Sequence, residues 1–189
     1  MKNALLWDAP NTFQRFIEHW GGCCELVTPQ LCATPFFRGS FSLLVVPTGF
    51  ANPAYSRTLV ALRASADRVE RFLERGGTLL VFGAAIDRED AYDWLPFRLT
   101  YRFRSGPRRV EPVEPVLFDA LFGDYDAAAL ECDGGFIEAD AAVIATAAGE
   151  PVVVSRGVGD GLVLATTVHE YPSRRLFEFL EASALEAPF

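Results

Sequence analysis

Residues Arg57–Ala85 read RTLVALRASADRVERFLERGGTLLVFGAA. Leu59, Leu62, Ala66, Val69 and Leu73 fall on one helical stripe, with Arg63, Asp67, Arg68, Arg71 and Glu74 largely off it. That spacing predicts one amphipathic helix over Arg57–Arg75. Gly76-Gly77 stops it, because glycine takes the left-handed conformation that ends helices. Thr78–Phe82 follows as an unbroken apolar run, and Gly83-Ala84-Ala85 is small enough for a sharp turn. A strand with no polar alternation is one covered on both faces.

The stretch before it repeats this grammar. Ala4–Trp7 is an apolar strand ended by Asp8-Ala9-Pro10. Asn11–Trp20 carries Phe13, Phe16, Ile17 and Trp20 at helical spacing and meets Gly21-Gly22. Cys23–Val27 is a second strand, Pro29–Pro35 a loop, and Phe41–Val46 a third strand that stops at Pro47-Thr48-Gly49. Strands alternating with helices predict an α/β fold, three-layered, with a mostly parallel, doubly wound sheet.

The second half reads differently. Asp87–Leu95 suggests a short helix. Phe97–Arg104 alternates apolar and polar residues and predicts a strand with one wet face. Gly106–Pro115 reads as a proline-rich loop and Val116–Phe122 as a helical turn or two. Val143–Thr146, Val152–Ser155 and Leu162–Thr167 form an antiparallel C-terminal meander, and Ser173–Leu185 a last helix. Gly157, Gly159 and Gly161 lie between two of those strands. They read as a hairpin turn, since a phosphate cradle would need a helix to follow.

With 189 residues, the chain is expected to form one domain over 1–189. Its net charge of −8 argues against nucleic acid as a partner. No apolar run reaches the roughly 18–20 residues of a membrane span, and the first one ends at Asp8, so no membrane and a cytoplasmic location are expected. Cys23, Cys24, Cys32 and Cys132 form no C-x-x-C pair, and the histidines are only His19 and His169. Neither a metal site nor a cofactor is expected. Sixteen phenylalanines leave room for an exposed apolar face that a second copy could cover, making a homo-oligomer one candidate assembly.

Three constellations could carry chemistry. Arg98, Arg102 and Arg104, with Arg108 and Arg109 close behind, could bind an anion, but read better as a solvated strand face paired with surface acids. Glu131, Asp133, Glu138 and Asp140 surround Cys132 and Gly134-Gly135; a turn between strands explains those letters best, and Asp133 stands out beside the double glycine. The acids also disfavour a thiolate at Cys132. His169-Glu170-Tyr171-Pro172-Ser173 follows the last strand, at the edge where α/β sheets place ligands; His169 reads equally as a ligand-facing group or a loop organiser.

These motifs, in this order, resemble the class I glutamine amidotransferase-like superfamily. Val45-Val46-Pro47-Thr48-Gly49 corresponds to its Pro-Gly-Gly-type loop, Glu74–Gly83 to the helix end and elbow strand, and Leu164-Ala165-Thr166-Thr167-Val168-His169-Glu170 to the strand delivering its histidine. The resemblance implies a flavodoxin-like fold with a pocket at the sheet edge. It does not carry the activity. The family sets a nucleophilic cysteine after the elbow strand, where this chain has Gly83-Ala84-Ala85. Its histidine precedes Pro and then Glu, whereas Glu170 and Tyr171 follow His169 here. Amidotransfer through a thioester needs the missing thiolate.

The expected function is therefore non-catalytic binding of a small molecule or protein partner. The alternative is a hydrolase-type enzyme using His169 and nearby carboxylates through water or a metal. The candidate catalytic groups are His169 and Glu170, with Glu170 also placed to brace the loop. The candidate ligand-binding residues are Thr48, Gly49, Gly83, Ala84, Asp133 and Tyr171.

Overall fold

The computed structural model describes residues 1–189. In chain order the elements are β1 (Lys2–Leu6), α1 (Thr12–Gly21), β2 (Cys23–Val27), α2 (Pro29–Ala33), β3 (Ser40–Phe41), β4 (Leu43–Val46), α3 (Thr58–Ala64), α4 (Ala66–Glu74) and β5 (Thr78–Val81). Then come β6 (Leu99–Arg108), β7 (Val110–Pro112), α5 (Pro115–Phe122), β8 (Leu130–Ala139), β9 (Ala142–Ala147), β10 (Glu150–Val158), β11 (Gly161–Thr166), α6 (Arg175–Glu181) and β12 (Ala187–Pro188).

One eight-stranded sheet runs in the order β2-β1-β4-β5-β11-β10-β9-β7. Its pairs are parallel from β2 to β11 and antiparallel from β11 to β7. The continuous apolar strands have the expected cause, because each feeds two cores. Leu44, Val46, Leu79, Val81, Val163 and Ala165 face one, packed on α3 and α4 through Leu62, Phe72 and Leu73. Leu43, Val45, Leu80, Phe82 and Leu164 face the other, packed on α1, α5 and α6 through Ile17, Leu121 and Phe177. Each such leucine, valine or phenylalanine, fully buried, contributes about 1.5–3 kcal/mol. The architecture is the expected α/β sheet with helices on both faces and an antiparallel C-terminal extension.

Local differences have local causes. The helix expected over Arg57–Arg75 breaks at Ser65 (φ −120°, ψ 20°). The buried Ser65 hydroxyl donates to the Ala61 carbonyl at 2.7 Å and meets the Cys32 thiol at 3.1 Å. A serine bonding back one turn bends a helix. Within the loop expected at Pro29–Pro35, Thr28 caps a short helix that opens on Pro29. The last helix is shorter than expected, because residues after Glu181 turn toward Gly76, where the Leu185 amide donates to the Gly76 carbonyl at 3.3 Å. Asp87–Leu95 forms turns.

The largest correction concerns residues 97–140. The acidic segment read as a turn is strand β8, which pairs with β6 as a separate antiparallel ribbon. Gly134 is there because a Cβ would collide with the Arg102 carbonyl and the Tyr101 ring. The segment read as the loop Gly106–Pro115 completes β6 and supplies β7. Pro107 is tolerated because it follows a register shift between Phe103 and Gly106 on a two-stranded ribbon.

Candidate functional site

The carboxyl ends of β1, β4, β5 and β11 open on a common crevice of about 530 Å³. Trp7 leaves β1 and Thr48-Gly49 leave β4. Gly49 holds φ 86°, and its amide donates to the Gly83 carbonyl at 2.8 Å, locking the two turns together. After β5 the chain passes through Phe82-Gly83-Ala84 to Ala85, which lines the crevice at φ 51°. A residue with a Cβ at positive φ is costly, by roughly 1 kcal/mol or more. The Asn52 side-chain amide donates to the Ala85 carbonyl at 3.1 Å and holds it there. The turn thus presents a methyl group to the crevice.

The opposite wall comes from β8. It crosses the outgoing end of β11 through a bridge between Cys132 and Val168. The Asp133 amide donates to the Thr167 carbonyl at 2.7 Å, and the His169 amide to the Glu131 carbonyl at 2.8 Å. This register sets Asp133 opposite Thr167 and Glu131 opposite His169, so Asp133 and His169 are diagonal neighbours on one face and their side chains meet. His169 Nδ1 lies 3.2 Å and 3.4 Å from the two carboxylate oxygens. Asp133 is only 6% exposed, whereas the His169 side chain is 57% exposed. Two further bonds hold this corner. The Tyr101 hydroxyl donates to the Asp133 carbonyl at 2.9 Å, and the Thr167 hydroxyl to the Gly134 carbonyl at 2.8 Å.

The hydrogen bond to Asp133 pushes the His169 pKa above its ordinary value; partial burial opposes this, and the charges of Asp133, Glu170 and Glu131 add to it. His169 is therefore biased toward imidazolium. With Nδ1 donating to Asp133, Nε2 has no protein partner and can serve a ligand. Tyr171 closes the crevice beside α1, stacked on Phe13 at 4.6 Å and sharing a 2.7 Å hydrogen bond with Thr12.

The structure brings together His169, Asp133, Tyr171, Thr48 and Gly49 at the crevice. Gly83 and Ala84, expected at the ligand, lie behind its wall. Ala84 is fully buried, and Gly83 presses on Asp133, where a Cβ would sit 2.6 Å from Oδ2. Glu170, also expected as a catalytic group, turns away: its Oε1 accepts from the Glu131 amide at 2.9 Å, and it takes the bracing position instead. Successive residues leaving a strand point oppositely. Sequence reasoning missed Trp7, Ala85 and Phe103. Trp7 had a signal, since it ends an apolar strand at the switch-point edge. Phe103 had none, because only the ribbon's fold brings β6 across.

No cysteine lines the crevice, and Cys132 is wholly buried, its thiol pushed up to about 11 by burial. Nowhere do three or more His, Cys, Asp or Glu side chains gather in a way that could hold a metal ion. Within the Arg98 stretch, Arg98 pairs with Glu138 and Arg102 and Arg108 pair with Glu150, whereas Arg104 and Arg109 make no ion pair.

No protein-family model matches the chain, and no curated protein matches it in sequence. Solved structures do match in shape. A protein from Thermoplasma acidophilum, described as a proposed GMP synthase subunit, has a TM-score of 0.62 at 12% identity, over 96% of this chain and 93% of that one. A cytoplasmic protein of Salmonella typhimurium has a TM-score of 0.58 at 12% identity, over 97% and 99%. The cold-adapted β-galactosidase of Rahnella sp. R3 has a TM-score of 0.58 at 14% identity, but this chain spans only 30% of it. At these identities the likeness is one of architecture alone, and it shows the α/β fold.

Proposed function

We propose that this chain uses an amidotransferase-like fold to bind a small polar molecule in the crevice, without thiolate chemistry. The observation that carries the reading is the pairing of an inert turn with a prepared polar corner. Ala85 offers only a methyl at the tight turn after β5, while the buried Asp133 holds His169 through Nδ1 and leaves Nε2 without a protein hydrogen-bond partner. Trp7, Phe13 and Tyr171 add flat apolar walls, the usual setting for a few placed polar groups. A histidine biased toward imidazolium is a better donor to a ligand than a base.

A thermal-shift screen of small polar metabolites tests this, since a native-state binder adds stability once it exceeds its dissociation constant. Hits are expected to shift wild type and to weaken in His169→Ala. Ammonia release from glutamine is expected to stay at the buffer blank. Glutamine turnover that survives repurification overturns the reading. So do hits that bind His169→Ala and Trp7→Ala as tightly as wild type.

The 3.2 Å approach of His169 to Asp133 favours one second reading, hydrolysis by water held at His169. It requires turnover of an ester or amide panel that both His169→Ala and Asp133→Asn abolish.

A further inference from the structure

Outside the crevice, Arg38, Arg68, Arg71 and Arg75 line one depression of about 380 Å³, floored by Phe37 and Phe189. Four of the chain's 17 cationic side chains thus stand together in a protein of net charge −8. None of the four makes an ion pair, whereas Arg63, Arg98, Arg108 and Arg175 each find a carboxylate. No side-chain carboxylate pairs with them, and like charges so gathered repel one another unless an anion joins them.

Two of the four are already fixed. Arg68 donates to the Cys32 carbonyl at 3.1 Å and the Thr34 carbonyl at 2.8 Å, with its guanidinium 5.8 Å from the centre of the Phe189 ring. Arg38 donates to the Pro35 carbonyl at 2.8 Å and the Phe37 carbonyl at 3.1 Å. Phe189 is held in turn, its amide donating to the Gly39 carbonyl at 2.9 Å. Arg71 and Arg75 make no side-chain hydrogen bond, so their forked donors are unspent. Arg68, Arg71 and Arg75 follow the i, i+3, i+7 spacing of one helix face. The carboxyl end of α4 favours a cation, which accounts for Arg71 or Arg75 singly. It does not account for Arg38, which arrives from the β3 side, or for the convergence of all four.

We propose that this depression is an anion site that takes a phosphate dianion, free or as the phosphomonoester group of a small molecule. Guanidinium forks match phosphate oxygens two at a time, and the flanking rings suit an apolar group next to an ester.

Isothermal titration with inorganic phosphate and with phenyl phosphate, at ionic strength matched by chloride, tests the site. Arg71→Gln/Arg75→Gln is the variant of choice, because neither side chain bonds to the protein and the fold should survive, checked by circular dichroism. Wild type is expected to give saturable binding, weakened about tenfold or more in that variant, the scale of losing charge-assisted hydrogen bonds. Arg98→Gln/Arg102→Gln and His169→Ala should bind as wild type, which separates this site from the crevice. Tighter binding of phenyl phosphate assigns an ester as the ligand class, and equal binding assigns free phosphate. Absence of saturation by ~10 mM, in the range of affinities weaker than a specific site gives, overturns the proposal. So does wild-type affinity in Arg71→Gln/Arg75→Gln.

Discussion

Gly83→Ala tests whether the crevice corner is as closely built as described. An alanine Cβ at 83 would lie 2.6 Å from Asp133 Oδ2, 2.8 Å from its Cβ and 3.1 Å from its Cγ. A flexible side chain could swing clear, but Asp133 Cβ moves only with its backbone. That backbone is clamped by the bond from the Asp133 amide to Thr167 and by the Tyr101 hydroxyl. Overpacking of this kind costs about 1–3 kcal/mol. The loss of unfolded-state freedom on replacing glycine returns about 0.4–1 kcal/mol. The net expectation is a destabilisation of about 1–2 kcal/mol, or roughly 2–8 °C in Tm for a chain of this size. Urea unfolding followed by tryptophan fluorescence reads the stability. An NMR titration of the imidazoles reads the corner itself and is simple to assign, since His19 is the only other histidine. Displacing the carboxylate should let the His169 pKa fall back toward the ordinary value. A variant with an unchanged or higher urea midpoint and the wild-type His169 titration would refute the close packing of β5's turn against β8.

Two more expectations follow from the same corner. The His169 pKa is raised in the folded state, chiefly by the hydrogen bond to Asp133. Its contribution to stability is therefore complete below about pH 6, under the unfolded value, and is lost as pH rises through the folded value. Denaturation at a series of pH values should show the gap between wild type and His169→Gln widening as pH falls from about 9 to about 6 and narrowing with added salt; a gap independent of pH contradicts the pairing. Cys132, with its thiol at about 11, should resist iodoacetamide in the folded protein at neutral pH while the exposed Cys23 labels first. Peptide mapping after timed alkylation reads the order, and early labelling of Cys132 counts against its burial.

The parallel half of the fold was legible because its signal is local. β1, β4, β5 and β11 are apolar at consecutive positions for one reason: each alternates between two cores. The ribbon of β6 and β8 was not legible as a pair. Gly134-Gly135 is turn chemistry in the sequence, and only the neighbouring Tyr101 and Arg102 backbone reveal it as clearance for a close strand. Asp133 stood out on an expected turn that does not exist, and the structure places it on β8 beside His169. The basic residues show the same limit. Arg98, Arg102 and Arg104 are conspicuous because they are close in sequence, yet β8 and β10 place glutamates beside two of them. Arg38 and Arg68–Arg75 lie about thirty residues apart and meet only through the packing of β12 on β3, which seats Phe189 between them.

The crevice corner also explains why Glu170 and Asp133 cannot exchange roles, although both are carboxylates beside His169. His169 donates its amide to Glu131, and Glu131 donates its own amide to the Glu170 carboxylate. Glu170 therefore closes a small ring that ties the outgoing end of β11 to β8 from the far side. Its second oxygen, Oε2, makes no hydrogen bond to another protein group. Asp133, one bridge along, has its backbone spent on Thr167 and Tyr101 and its carboxylate spent on the imidazole. The crossing of β8 over β11 thus divides two like acids into a brace behind the wall and a charge that orients His169 in front of it, and it can do so only because residue 83 has no side chain.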